Sequence, residues 1–191
     1  MSHDNIKFSV TDALNLGDPC YGGEHGCEKI AAKPGEWLAW VDTVESFGHR
    51  ISKLHARCLG PRQIEHNNSK HSYKTYNLGV DAGLMSIQPI EHLISEIEYA
   101  NALNEAYGKD SNFDFALVRN GVWSSTGYGD GCYEAVVHYI DGKAVEIDIV
   151  FIDDDDVEED FYVEEDDVDY YDDIAEDYEE EHFEADTDGD D

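Results

Sequence analysis

Along the first sixty positions apolar residues recur singly or in short runs between Gly, Pro and Asp, without the three-and-four spacing of a helix. The stretches 6–10, "GEWLAWVDTV" (35–44) and "HRISKLHARCL" (49–59) alternate or cluster their apolar side chains as half-buried strands do. "KTYNLGVDAGLMSI" (74–87) reads as a further strand, interrupted at Gly79 and Gly83, where a bulge or a close backbone approach is the usual cause.

One segment carries helical spacing. Beyond Pro89, which suits a helix's first turn, Ile90, Leu93, Ile94, Ile97 and Leu103 fall on one stripe, and Gly108 is the expected stop. A stripe of that width predicts packing on a sheet rather than a free docking groove. The clearest local signal is "YEAVVHYIDGKAVEIDIVFI", two apolar-rich runs around Asp141-Gly142, a dipeptide that tolerates the positive φ of a two-residue hairpin turn. In its second arm Val145, Ile147, Ile149 and Phe151 are expected on one face, with Glu146 and Asp148 on the other. Together these segments predict an α+β fold, mostly antiparallel β, as a sandwich or strongly curved sheet with one main covering helix.

Charge then divides the chain. The formal charge of -33 is unevenly placed: all 12 Lys and Arg lie between Lys7 and Lys143, while 24 of the 45 Asp and Glu follow Ile152. Residues 1–152 are therefore expected to form a compact body of net charge -9, and residues 153–191 an acidic C-terminal segment of -24 that contains aromatic residues and has helical potential. Such a field repels nucleic-acid phosphates and anionic membranes and attracts basic proteins or divalent cations, so direct nucleic-acid binding is not expected. The start "MSHDNIKFSVTDAL" has no signal-peptide pattern and no stretch is apolar enough to span a bilayer, which points to a cytoplasmic protein away from membranes. Cys20, Cys27, Cys58 and Cys132 are too few for a disulfide scaffold at this length and are expected as thiols.

Candidate chemistry in the body is sparse. Asp18 in "LGDPCY", Asp81 in "GVDAGL" and Asp130 in "GYGDGCY" could, if they converge, hold a hard cation or act as general acid and base; tight turns use the same residues. Cys20, His25, Cys27, His55 and Cys58 are zinc-ligand types at a spacing that matches no common zinc pattern. Ser124 and Ser125 lack the glycine frame of a nucleophile elbow, and the nearby glycines do not follow phosphate-loop or dinucleotide spacing. No cofactor is expected.

The series "LGDPCY", "VDAGLMSI", "SSTGYGDGCYEAVVHY" and "IDIVFI" resembles a family of uncharacterised bacterial and phage domains. These share an early Gly-Asp-Pro-Cys-Tyr element, a central Asp-x-Gly strand and a late Ser-Ser-x-Gly-aromatic-Gly-Asp-Gly segment followed by a hairpin. The likeness covers about residues 18–152 and implies a compact body without assigning chemistry. The acidic segment lies outside the shared pattern.

That segment departs from a purely solvating tail, which avoids large apolar side chains. Phe161, Tyr162, Tyr170, Tyr171, Tyr178 and Phe183 punctuate its acids. Alternate steps of four and three trace Val157, Phe161, Glu164, Val168, Tyr171, Ala175, Tyr178 and His182 as an amphipathic seam. Opposing helix formation, its 15 Asp outnumber its 9 Glu, and like charges three or four apart repel. As a helix its 39 residues would extend about 58 Å, with roughly one carboxylate per 2.4 Å. Duplex DNA carries about one phosphate charge per 1.7 Å.

The expectation is a non-enzymatic, phage-encoded interaction protein that mimics DNA and inhibits a basic DNA-binding or host-defence protein. Asp153, Asp154, Asp155, Asp156, Glu158, Glu159, Asp160, Glu164, Glu165, Asp166 and Asp167 supply charge, and Phe161, Tyr162 and Tyr171 anchor. The alternative is a small metal-dependent hydrolase using Asp18, Asp81 and Asp130, with the tail as a solubility or cation-binding extension. The closing "DTDGDD" opens like a calcium loop but stops short of a bidentate glutamate.

Overall fold

The computed structural model describes residues 4–23, 26–60, 69–107 and 114–153. The chain divides into a unit Met1–Glu158 and a unit Glu159–Asp191, and the second lies outside the described residues. The described part is mostly antiparallel β with a single α-helix. Its strands are β1 (Ile6–Val10), β2 (Ala13–Gly17), β3 (Glu28–Ala31), β4 (Gly35–Glu45), β5 (His49–Cys58), β6 (His71–Val80), β7 (Leu84–Pro89), β8 (Phe115–Val118), β9 (Gly121–Ser125), β10 (Gly131–Ile140) and β11 (Lys143–Val150), and the helix α1 is Glu96–Tyr107. A six-stranded sheet has the order β1-β4-β5-β11-β10-β6, and a five-stranded sheet the order β3-β2-β7-β9-β8.

The inner faces of the two sheets share one core. Trp37, Leu54, Ala56, Leu78, Ala135, Val137, Ile147 and Ile149 from the larger sheet meet Leu14, Leu16, Met85, Ile87 and Val122 from the smaller, all fully buried. Burying each Leu, Ile, Val or Met among them contributes about 1.5–3 kcal/mol. Trp37 adds a satisfied indole, whose N–H donates to the Lys33 carbonyl at 3.0 Å. The arrangement is the expected sandwich: strand alternation places one residue in two on the inner faces, and the opposite face of the larger sheet carries the polar positions.

The hairpin forms where Asp141-Gly142 predicts it. Asp141 (φ 52°) and Gly142 (φ 79°) both take positive φ, and Ile140 pairs with Lys143 across the two-residue turn. A register shift between His138 and Tyr139 corrects one detail. His138 faces Glu146 and Tyr139 faces Ala144, so Val145 is the extra residue of a bulge. Ala144, not Val145, takes the buried place in line with Ile147 and Ile149.

The single strand expected over 74–87 is two strands in different sheets. β6 ends at Val80, the chain turns through Asp81–Gly83, and β7 enters the five-stranded sheet. Gly83 supplies the positive φ of 63° at this corner, whereas Gly79 is an ordinary member of the β6–β10 ladder opposite Cys132.

The helix begins later than its apolar spacing predicts. Pro89 closes β7, Ile90–His92 form a 3-10 turn, Leu93 is extended (φ -56°, ψ 138°), and α1 starts after Ser95. The start carries half of a capping box: the Glu98 carboxylate accepts from the Ser95 N–H at 3.3 Å and from the Ser95 hydroxyl at 2.8 Å. Ile90, Leu93, Ile94, Ile97 and Leu103 therefore do not share one helical face. Ile94 is buried ahead of the helix, and Ile97 is 91% exposed. The inward face of α1 is Tyr99, Ala102, Leu103 and Ala106, which pack with Leu84, Ile94, Val118 and Trp123. Tyr99 lies on Trp123 with ring centroids 5.8 Å apart. The helix thus packs on the outer face of β7, β8 and β9, and among the described residues the outer face of the six-stranded sheet carries the solvated positions.

Candidate functional site

The last described residues are held at a fixed point. Ser52 is the extra residue of a bulge between β4 and β5, since Asp42 pairs with Lys53 and Thr43 with Ile51. Its carbonyl accepts the N–H of Phe151 at 2.8 Å and of Ile152 at 3.1 Å. Both side chains are buried, and Asp153 follows exposed. Asp153 is the one residue of the expected partner-binding set that is described. Asp154 to Asp156, Glu158 to Tyr162, Glu164 to Asp167 and Tyr171 lie outside the described residues.

The three glycine-flanked aspartates reach one corner of the molecule in different states. Asp18 is fully buried. One carboxylate oxygen accepts from the Cys20 N–H at 2.8 Å and caps the 3-10 turn Pro19–Tyr21; the other accepts from the N–H of Asp81 and of Ala82, both at 2.8 Å. Three backbone donors offset the cost of burying this charge. Asp81 is exposed and accepts from the Tyr21 hydroxyl. That contact, with burial and the charge of Asp81, pushes the Tyr21 hydroxyl up to about 12. Asp130 is exposed, with an oxygen 4.0 Å from where a side chain on Gly83 would begin. The corner is thus a backbone staple rather than a ring of free oxygens. Among the described residues no three His, Cys, Asp or Glu are grouped so as to hold a metal ion.

The zinc-type residues separate. Cys20 and Cys27 both border Asp18, the Cys27 thiol donating to the Asp18 carbonyl at 3.7 Å. Burial, then the hydrogen bond and charge of Asp18, pushes the Cys20 thiol up to about 12, and burial likewise raises Cys27. Such thiols stay protonated and weakly nucleophilic. His55 and Cys58 lie three apart on β5 and so point to opposite faces, His55 outward and Cys58 against the core. His25 is outside the described residues. Ser124 is fully buried and donates to the Ser125 carbonyl at 2.9 Å.

The densest polar cluster is one that sequence reasoning missed, on the outer face of the six-stranded sheet. Cross-strand register aligns Trp40 of β4, His55 of β5, Asp148 of β11, Val136 of β10 and Thr75 of β6 in one row. The adjoining row is Leu38, Arg57, Glu146, His138 and Tyr73. His55 is engaged at both ring nitrogens: Nδ1 lies 2.6 Å from Asp148 Oδ1 and Nε2 lies 3.1 Å from Asp42 Oδ2. Its ring stacks on Trp40 at 4.9 Å and 13°. Arg57 lies over the other side of the network, 5.8 Å from the Trp40 ring, and Arg57 Nε donates to Glu146 at 3.0 Å. His138 Nε2 stands 3.8 Å from Asp148. Burial lowers the affinity of His55 for a proton, but the hydrogen bonds and charges of Asp148 and Asp42 outweigh it and leave its pKa raised. Beyond this network, His71, Tyr73, His138, Ile140, Val145 and Glu146 line an open groove of about 340 Å³ beside the β11 bulge. The hint in the sequence was the outward placing of Glu146 and Asp148; their partners are far away along the chain.

Comparison with known protein families, with curated proteins and with solved structures finds no match to this chain. Among the described residues no helix is long and apolar enough to cross a membrane.

Proposed function

We propose that this chain is a non-enzymatic interaction protein whose carboxylate-rich C-terminal segment occupies a basic surface that otherwise binds DNA. The carrying observation is the segregation of charge: residues 153–191 hold 24 carboxylates and no Lys or Arg, interleaved with Phe161, Tyr162, Tyr170, Tyr171, Tyr178 and Phe183. Carboxylates at this density match the spacing that a phosphate-binding surface meets, and the rings add apolar anchors that DNA lacks. Long-range attraction gives such a ligand fast association.

The body supports this reading as a scaffold. Lys7, Arg57 and Arg119 each pair with a carboxylate of the body itself, Glu36, Glu146 and Glu98 respectively. Arg50 is spent on the backbone carbonyls of Ser46 and Gly127. These cations are committed locally rather than set out as a polyanion-binding stripe. The partner class is a basic DNA-binding protein, such as a nuclease, a defence factor or a nucleoid protein, which fits a phage-encoded inhibitor.

The test is competition. A set of purified basic DNA-binding proteins is incubated with labelled duplex DNA and with either the full chain or a chain ending at Asp153. The full chain displaces DNA, and displacement weakens steeply as salt rises. Equal displacement by the shortened chain removes the proposal, as does binding that is indifferent to salt.

A further inference from the structure

His55 sits on β5 between β4 and β11. Its two ring nitrogens face carboxylates on different strands, Asp148 of β11 on one side and Asp42 of β4 on the other. Only the imidazolium form carries two N–H donors; the neutral ring has one donor and one lone pair. In the neutral form one carboxylate must therefore face a lone pair. The geometry decides which. Asp148 is closer, at 2.6 Å against 3.1 Å, and less exposed, at 32% against 54% of its side chain. Asp42 is the contact that is lost.

We propose that His55 is a proton-operated clamp that ties Asp42 of β4 to Asp148 of β11 on the solvated face of the six-stranded sheet and releases the Asp42 side chain when it loses its proton. The groups facing it are Asp42 from β4, Lys53 and Arg57 from β5, Asp148 and Glu146 from β11, and His138 from β10. Arg57 is drawn off by Glu146, so the two aspartates dominate the field at the ring. Trp40 stacks on one flat side of the imidazole and fixes the plane in which its two nitrogens face the aspartates.

Position gives the clamp its consequence. Asp42 borders the bulge in which the Ser52 carbonyl holds Phe151 and Ile152, the last buried residues before Asp153. Asp148 lies on the same strand that leads into them. Release of Asp42 loosens the pairing beside that bulge, where Phe151 and Ile152 are held. The inference concerns the body alone and does not depend on what the segment binds.

Nuclear magnetic resonance of the full chain tests it directly. Long-range proton–nitrogen spectra report whether the His55 ring is an imidazolium or which neutral tautomer it adopts. The expected result is a midpoint above that of histidine in an unfolded chain, a neutral form protonated at Nδ1, and faster amide exchange in Trp40–Thr43 and Phe151–Ile152 once intrinsic pH effects are removed. Asp42→Asn, which keeps shape and loses charge, lowers the midpoint and abolishes the pH dependence of exchange; Asp42→Ala, which removes the same carboxylate, serves the same purpose if that variant misfolds. A midpoint at or below the unfolded value, a neutral form protonated at Nε2, or exchange that ignores the titration overturns the clamp.

Discussion

The Asp18 carboxylate accepts the backbone N–H of Asp81 at 2.8 Å and so ties the end of β2, in one sheet, to the turn that leaves β6, in the other. The same oxygen takes the Ala82 N–H, and its twin takes the Cys20 N–H. Asp18 closes one end of the sandwich through backbone atoms alone.

Asp18→Ala is therefore expected to destabilise the fold by about 3 kcal/mol or more, because three donors lose their acceptor in a fully buried place. Urea denaturation measures it. Asp130→Ala, at an exposed site of the same corner, should stay within about 0.5 kcal/mol of the parent. A comparable loss at both positions would contradict the staple.

Gly121 and Gly79 make a matched steric test. A β-carbon on Gly121 would stand 2.5 Å from the Gln88 side chain and 3.0 Å from backbone atoms of Gln88 and Ile87, whereas one on Gly79 meets nothing within 4 Å. Gly121→Ala should cost about 1–3 kcal/mol through overpacking. Gly79→Ala should be neutral or stabilise by up to about 1 kcal/mol, by reducing the freedom of the unfolded chain. Melting temperatures of the two variants are the measurement.

The hydroxyl that Ser95 donates to Glu98 makes the first turn of α1 sensitive to one substitution. Ser95→Ala is expected to cost about 1 kcal/mol and to speed amide exchange in the first helical turn. Arg119 first, then Ser95, hold the Glu98 carboxyl down to about 2. A depressed carboxyl supports the helix above its unfolded value and stops doing so as pH falls through the folded one. Exchange in residues 96–99 should accordingly rise between about pH 4 and pH 2 in the parent, and less so in Glu98→Gln.

Truncation separates the body from the acidic segment. A chain ending at Asp153 keeps Phe151 and Ile152, which are 6% and 1% exposed, and should melt cooperatively at close to the temperature of the full chain. A chain ending at Val150 loses both side chains and the two bonds to Ser52, and is expected to be less stable by about 3–5 kcal/mol. Calorimetry distinguishes the pair. An equal melting temperature for both would place the edge of the folded body before Phe151.

Sequence alone determined the features set by neighbouring residues. Asp141-Gly142 specifies a hairpin because the turn needs two positive φ values in succession, and those two residues tolerate them. β4, β5 and β11 are legible because each has one wet face, so polar and apolar positions alternate. The charge boundary at Ile152 needs no structure at all. The Ser95–Glu98 cap was also present in the sequence, but Ile90, Leu93 and Ile94 continued the helical spacing upstream of it and drew the boundary toward Pro89.

Tertiary structure decided the rest. β2, β7 and β9 are covered on both faces, one by the opposite sheet and one by α1 and its approach, so Asn15, Ser86, Gln88 and Ser124 are buried among apolar neighbours and no alternation marks them as strand. The three turn aspartates are alike in sequence, yet only Asp18 is enclosed by backbone donors from a segment more than sixty residues away. His55 and Asp148 are 93 residues apart, and only the β5–β11 register brings them within 2.6 Å. A one-residue slip would send His55 to the opposite face, and register is a property of the assembled sheet, not of either strand by itself.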